Sequence, residues 1–202
     1  MIRRAVVLTT VAVLAPVAIL AACDRSKPAE TAEVAVTRAP AEEAPADPNL
    51  LTPDGIGMIR IGQSVGEVQA LSGMSDTPIN DPSGCNIFHP SRAPVGLVVM
   101  AEAGHVTRIS LHEGATVKTA RGFGVGSEGS AIKAAYGGGV IVQPAKYEPA
   151  PAQDLYVWAR GGSTQYVADP EARGVRYEVG ADGKVAAVHA GGPSIQLAES
   201  CG

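Results

Sequence analysis

The sequence predicts an α+β domain built from two tandem units, each a short helix followed by an antiparallel hairpin. The hairpins join into a small sheet with the helices on one face. Three observations predict this arrangement. A glycine-framed segment occurs twice, a pair of strand-like runs around a turn follows each copy, and one of those turns is Asp182-Gly183, a strong hairpin signal.

The N-terminus reads as an export signal rather than as part of the fold. Arg3 and Arg4 precede a nearly uncharged apolar run over residues 5–19, which closes on Leu20-Ala21-Ala22-Cys23. That order is too short and too one-sided for a spanning helix and matches a secretory signal over residues 1–22. A thiol at the cleavage boundary marks a lipoprotein, with Cys23 as the first mature residue and the acylated one. Asp24 follows it, as in lipoproteins that enteric bacteria retain in the inner membrane; the rule varies among bacteria, so either membrane stays open.

Residues 23–50 carry the lipidated cysteine and a Pro/Ala-rich linker containing Pro28, Pro40, Pro45 and Pro48. Little there can be buried, so the segment reads as a disordered leash. As a coil it spans about 30 Å, at roughly 5–6 Å times the square root of its length.

The globular part, residues 51–202, divides into units 51–114 and 115–202. In the first, Gly62 and Gly73 frame Val65, Val68 and Leu71 at helical spacing; in the second, Gly126 and Gly137 frame Ile132, Ala135 and Tyr136. Val98-Val99-Met100-Ala101 and Val106-Thr107-Arg108-Ile109-Ser110-Leu111 then flank Glu102-Ala103-Gly104. Their counterparts are Val175-Arg176-Tyr177-Glu178-Val179 and Val185-Ala186-Ala187-Val188, around Ala181-Asp182-Gly183. The second unit is longer, and Leu155-Tyr156-Val157-Trp158-Ala159 reads as its added strand.

With Cys23 committed to lipid, Cys85 and Cys201 remain as an even pair in an oxidising compartment and are expected to be bridged. In the chain-entropy model a loop of that size is worth about 4–5 kcal/mol.

Composition excludes some roles. The formal net charge is −4, and the loss of Arg3 and Arg4 with the signal makes it more negative. Such a chain has no basic footprint for nucleic acid, and its membrane affinity must come from the acyl chains. The histidines His89, His105, His112 and His189 are scattered and form no zinc-ligand spacing; His112 with Glu113, beside His105 at the far end of one strand, read as solvent-facing strand residues rather than as a metal site. Gly62-Gln63-Ser64-Val65-Gly66 has the G-x-S-x-G spacing, but Ser64 reads as the start of the first helix rather than as an elbow nucleophile, and no carboxylate pair stands out for glycoside chemistry. Gly122-Phe123-Gly124-Val125-Gly126 and Gly137-Gly138-Gly139 lack the Lys-Ser/Thr of a phosphate loop and read as turns. No cofactor, metal or catalytic residue is therefore expected. The aromatics are the better lead: Tyr156, Trp158 and Arg160 share one strand parity, and Tyr166 follows in the same added segment. They serve either as core packing or as a recognition strip.

The sequence Gly62…Ser64…Val68…Leu71…Gly73, then Asp81-Pro82…Gly84, an apolar strand and a hairpin ending in Gly104-His105-Val106, resembles the small outer-membrane-assembly lipoproteins of the BamE (SmpA/OmlA) type. Their pattern is Gly-Met-Thr, a Val four residues on, and Leu-Gly near the helix end. Here Gln63 stands in place of Met, Ser72 separates Leu71 from Gly73, and Glu128 replaces Thr in the second copy. The tandem copies are also similar to the β-lactamase inhibitory protein, whose combined sheet offers a concave face. The resemblance implies a non-catalytic, protein-binding envelope lipoprotein with a role in envelope or outer-membrane assembly or maintenance, and it brings no catalytic residues with it. The alternatives are an inhibitor of a periplasmic or secreted hydrolase and a binder of glycan or another small ligand.

Overall fold

A computed structural model describes residues 47–73 and 84–201. The chain enters through a two-residue ribbon, β1 (Gly55–Ile56) against β2 (Ile59–Arg60), with Ile56 opposite Ile59 and both side chains buried. Gly55 is obligatory there: its φ is +144°, and an added Cβ would stand 2.1 Å from the Ile59 carbonyl oxygen.

Helix α1 (Val65–Ser72) follows, and its start is written in the sequence. The Ser64 hydroxyl accepts from the Glu67 amide while the Ser64 amide donates to the Glu67 carboxylate, a reciprocal capping box. Strands β3 (Cys85–Phe88), β4 (Leu97–Glu102) and β5 (His105–Leu111) come next. Helix α2 (Gly129–Tyr136) begins at Glu128 without any side-chain cap. After it come β6 (Ile141–Pro144), β7 (Gln153–Arg160), β8 (Arg173–Val179) and β9 (Val185–Gly191), and then a single 3-10 turn over Pro193–Gln196.

The expected α+β arrangement of helix-plus-hairpin units is overturned. The described residues are mostly β: seven strands form one antiparallel sheet in the order β3-β4-β5-β9-β8-β7-β6, and among these residues only two α-helices, each of eight residues, accompany it. The physical reason lies in strand edges. A hairpin leaves unpaired backbone groups on both sides, and these recruit further strands until the sheet is broad. β5 pairs with β9 from Arg108–Gly191 to Leu111–Val188, which fuses the two hairpins at the centre. β3 adds on one flank, and β7 with β6 on the other.

One face of the sheet is apolar. Phe88, Val99, Ile109, Leu155, Tyr177 and Val188 pack there, all buried, together with Val68 of α1 and Ile132 of α2. Each fully buried aliphatic or aromatic side chain contributes about 1.5–3 kcal/mol of transfer free energy. The opposite face is polar. Ser110, His189, Arg176 and Tyr156 stand directly opposite one another across β5, β9, β8 and β7, and all four are buried.

What covers part of this polar face is the C-terminal segment after β9. Cys201 is bonded to Cys85 of β3, with 5.8 Å between their Cα atoms. Arg108, 2% exposed, donates to the carbonyls of Ser194 and Leu197 at 3.1 Å and to the Ser200 hydroxyl at 2.7 Å. An arginine is suited to this task, since its fork serves several acceptors at once and its charge offsets the carbonyl dipoles aimed at it.

Candidate functional site

The polar face holds a connected set of ionisable groups. The Ser110 hydroxyl lies 2.8 Å from His189 Nδ1. On the other side of the ring, His189 Nε2 approaches Glu178 Oε1 to 3.0 Å, though off the line of an ideal N–H···O bond. Glu178 also pairs with Arg176, two residues earlier on the same strand and face. The alternation of β8 places Arg176 and Glu178 on this side while Val175, Tyr177 and Val179 enter the apolar core.

The environment sets the charge of each group. Burial pushes the His189 pKa down to about 4, so the ring is neutral at pH 7. Burial works against the Glu178 charge, but the contact with His189 and the field of Arg176 prevail and bring its pKa down to about 2. With its proton on Nε2, the neutral ring turns that N–H towards the carboxylate and leaves Nδ1 to accept the Ser110 proton.

Asp154 of β7 is treated differently. It is 9% exposed, stands directly opposite Glu178 and makes no hydrogen bond. Burial raises its pKa to about 6, and Glu178 and Glu148 add to the rise against the opposing pull of Arg176. Asp154, Arg176 and Glu178 line a cavity of about 110 Å3, with Lys146, Tyr147 and Glu148 from the loop after β6 at its edge. Tyr147 donates to Glu199 of the C-terminal segment at 2.5 Å, and Ala198 of that segment lines the same cavity.

The residues singled out from the sequence are dispersed. Tyr156 is 5% exposed, and burial raises the pKa of its hydroxyl, which sits beside Arg176 within the polar set. Trp158 is half-buried against two glycines: a Cβ on Gly162 would lie 2.2 Å from its side chain, and one on Gly174 would lie 2.8 Å away. Arg160 turns to the first ribbon and pairs with Asp54 at 2.6 Å. Tyr166 is 69% exposed on a separate groove of about 520 Å3, which His105, Glu171, Arg173 and Pro193 also line. Cys85 and Cys201 are bridged, whereas Cys23 lies outside the described residues.

The sequence reading missed the polar set because its members alternate with apolar residues, the usual signature of a solvated strand face. His105 and His112 are exposed at the two ends of β5 as expected, and His189, to which the sequence assigned no role, is 3% exposed. One signal was present: a terminal cysteine bridged to Cys85 must return across the sheet and cover something. Among the described residues, no three His, Cys, Asp or Glu side chains converge as metal ligands, and no helix is long and apolar enough to cross a membrane.

No family model, curated protein or solved structure matches this chain.

Proposed function

We propose that this chain is a non-catalytic cell-envelope lipoprotein whose globular part binds another envelope protein. It is exported through residues 1–22, acylated at Cys23 and held on the linker, facing the periplasm. Its role lies in envelope or outer-membrane assembly or maintenance, the context implied by the BamE-like pattern around Gly62 and Gly73.

The observation that carries the binding reading is Tyr166, 69% exposed beside the groove of about 520 Å3. Tyrosine supplies large contact area at small entropic cost and is enriched among residues that dominate interface energetics. The bridge between Cys85 and Cys201 fits an oxidising compartment. The Ser110–His189–Glu178 chain has the residue types of a nucleophile relay, but its serine is 3% exposed and sealed from substrate. Its ring is also reversed relative to the familiar relay, with serine on Nδ1 and the carboxylate on Nε2.

A photo-crosslinking residue placed at Tyr166 of the full-length protein, in its own cells, tests the reading. One envelope protein captured from this position and not from exposed Val95 supports it; equal capture from both positions, or none from Tyr166, overturns it. Cys23→Ala tests the anchor separately, with release of the protein from membranes expected and unchanged retention contradicting acylation.

A further inference from the structure

We infer that the cleft over Asp154 is a binding site for an ammonium group, the end of a lysine side chain presented by the protein partner. This inference rests on the binding reading above and names the chemistry recognised.

Asp154 and Glu178 are directly opposite on β7 and β8. Like charges in that relation are destabilising. Glu178 has its countercharge in Arg176 and a further partner in His189. Asp154 has no hydrogen-bond partner, although it is nine-tenths buried and faces the 110 Å3 cavity.

The remaining groups around the cleft do not supply the missing cation. Arg176 is engaged by Glu178. From the loop after β6, Glu148 adds a third carboxylate, while the Lys146 ammonium rests over the Tyr147 ring, 4.9 Å from its centroid. The C-terminal segment contributes Gln196 and Ala198, and its Glu199 is bonded to Tyr147. Tyr156, beside Asp154 on β7, is buried with its hydroxyl near Arg176. A solitary buried carboxylate raised in pKa by desolvation is what a missing countercharge produces.

The cleft also selects among cations. A divalent metal needs several converging oxygen or nitrogen ligands, which are not found among the described residues. A guanidinium is a planar fork best matched by bidentate acceptors, whereas an ammonium is a compact charge on a methylene stem. Ala145, Ala186 and Ala198 form apolar walls that suit such a stem.

The test uses the full-length protein in detergent micelles, with N-acetyl-lysine methylamide as probe and the norleucine analogue as its uncharged control. Carboxyl-carbon NMR follows the titration of Asp154. With saturating lysine probe the Asp154 midpoint is expected to fall by about one pH unit, a tenfold change in proton affinity, and to stay in place with norleucine. Asp154→Asn abolishes probe binding, and Glu148→Gln, at an exposed position, weakens it without threatening the fold. An unmoved midpoint overturns the inference. So does Lys146→Ala if it alone raises the midpoint by as much as the probe lowers it, since the chain's own lysine is then the occupant. Failure of the probe while Tyr166 still crosslinks one envelope protein rejects this site and leaves the binding reading standing.

Discussion

On the helix-covered face of the sheet, Phe88, Val99, Ile109, Val188 and Leu155 interlock with Val68 and Ile132; on the opposite face the same strands present Ser110, Arg108, His189, Arg176, Glu178 and Asp154. Both sets are buried, save that Glu178 is half-buried, yet they do different work. Apolar burial contributes stability in proportion to area and tolerates exchange among side chains of similar volume. Buried charges contribute little net stability, because desolvation offsets their attraction, but each removed partner leaves a costly orphan. The polar face is therefore kept for what it organises: the C-terminal segment on Arg108 and the cleft at Asp154.

Truncation on the apolar face should produce the largest loss. Phe88→Ala is expected to cost about 3–5 kcal/mol in denaturant unfolding, the range for a fully buried phenylalanine. A loss below about 1 kcal/mol would mean that β3 contributes little to the core.

Arg176 sharpens the contrast. Arg176→Ala leaves Glu178 without its nearest countercharge and should cost about 2–4 kcal/mol. Replacing both charges together, Arg176→Met with Glu178→Leu, removes the orphan as well as the pair and is expected to recover most of that loss in thermal unfolding. If the double variant proves as damaging as Arg176→Ala, the ion pair itself holds the fold and the two faces are less different than described.

A smaller effect, of opposite sign, is expected at Asp154. Its pKa of about 6 lies above the ordinary 3.8, so the folded chain binds this proton before the unfolded chain does. Its contribution is therefore present at low pH and is lost as pH rises through about 6. Asp154→Asn should stabilise the protein at pH 7 by about 1–2 kcal/mol, allowing for contact of the carboxylate with water, and the advantage should vanish by about pH 4. His189 runs the other way. With a pKa of about 4 against 6.5, it costs stability as pH falls from 6.5 towards 4, because the unfolded chain takes up the proton first. Removing Asp154 should thus steepen the acid limb of a stability–pH curve, which unfolding at half-unit pH steps can detect.

The smallest effect concerns the two helix starts, which dock alike. The Val65 amide donates to the Gly104 carbonyl at 3.0 Å, and the Gly129 amide donates to the Gly183 carbonyl at 2.9 Å. They differ in capping: Ser64 closes a box with Glu67, while Glu128 caps nothing and Gly129 lets α2 approach Val179 closely. Ser64→Ala should cost about 1 kcal/mol, and Glu128→Ala much less. Equal losses by thermal unfolding would remove the distinction.

How much was legible follows from the range of each signal. Both helices, the turns at Gly104 and Gly183, and the cysteine pairing are written in local residues or in simple counting, and they appear at Val65–Ser72, Gly129–Tyr136, β4–β5, β8–β9 and Cys85–Cys201. The breadth of the sheet was not legible, because the β5–β9 pairing joins segments far apart in sequence and no local pattern encodes it. The polar set was hidden for a related reason. Nothing local marks Arg176 or His189 as buried; the C-terminal segment and the neighbouring strands, placed over and beside them, make them so. Of the aromatic strip, only Tyr156 lies in the polar set, because Trp158 is taken up by Gly162 and Gly174, and Tyr166 leaves the strand altogether.

The bond from Cys85 to Cys201 encloses every strand of the seven-stranded sheet, since β3 begins at Cys85 and β9 ends at Gly191. A protease that cuts any single loop within this span opens a ring rather than severing a chain. The nicked protein keeps both pieces covalently joined and its strand pairings, and under denaturing conditions the pieces part only when a reductant is added.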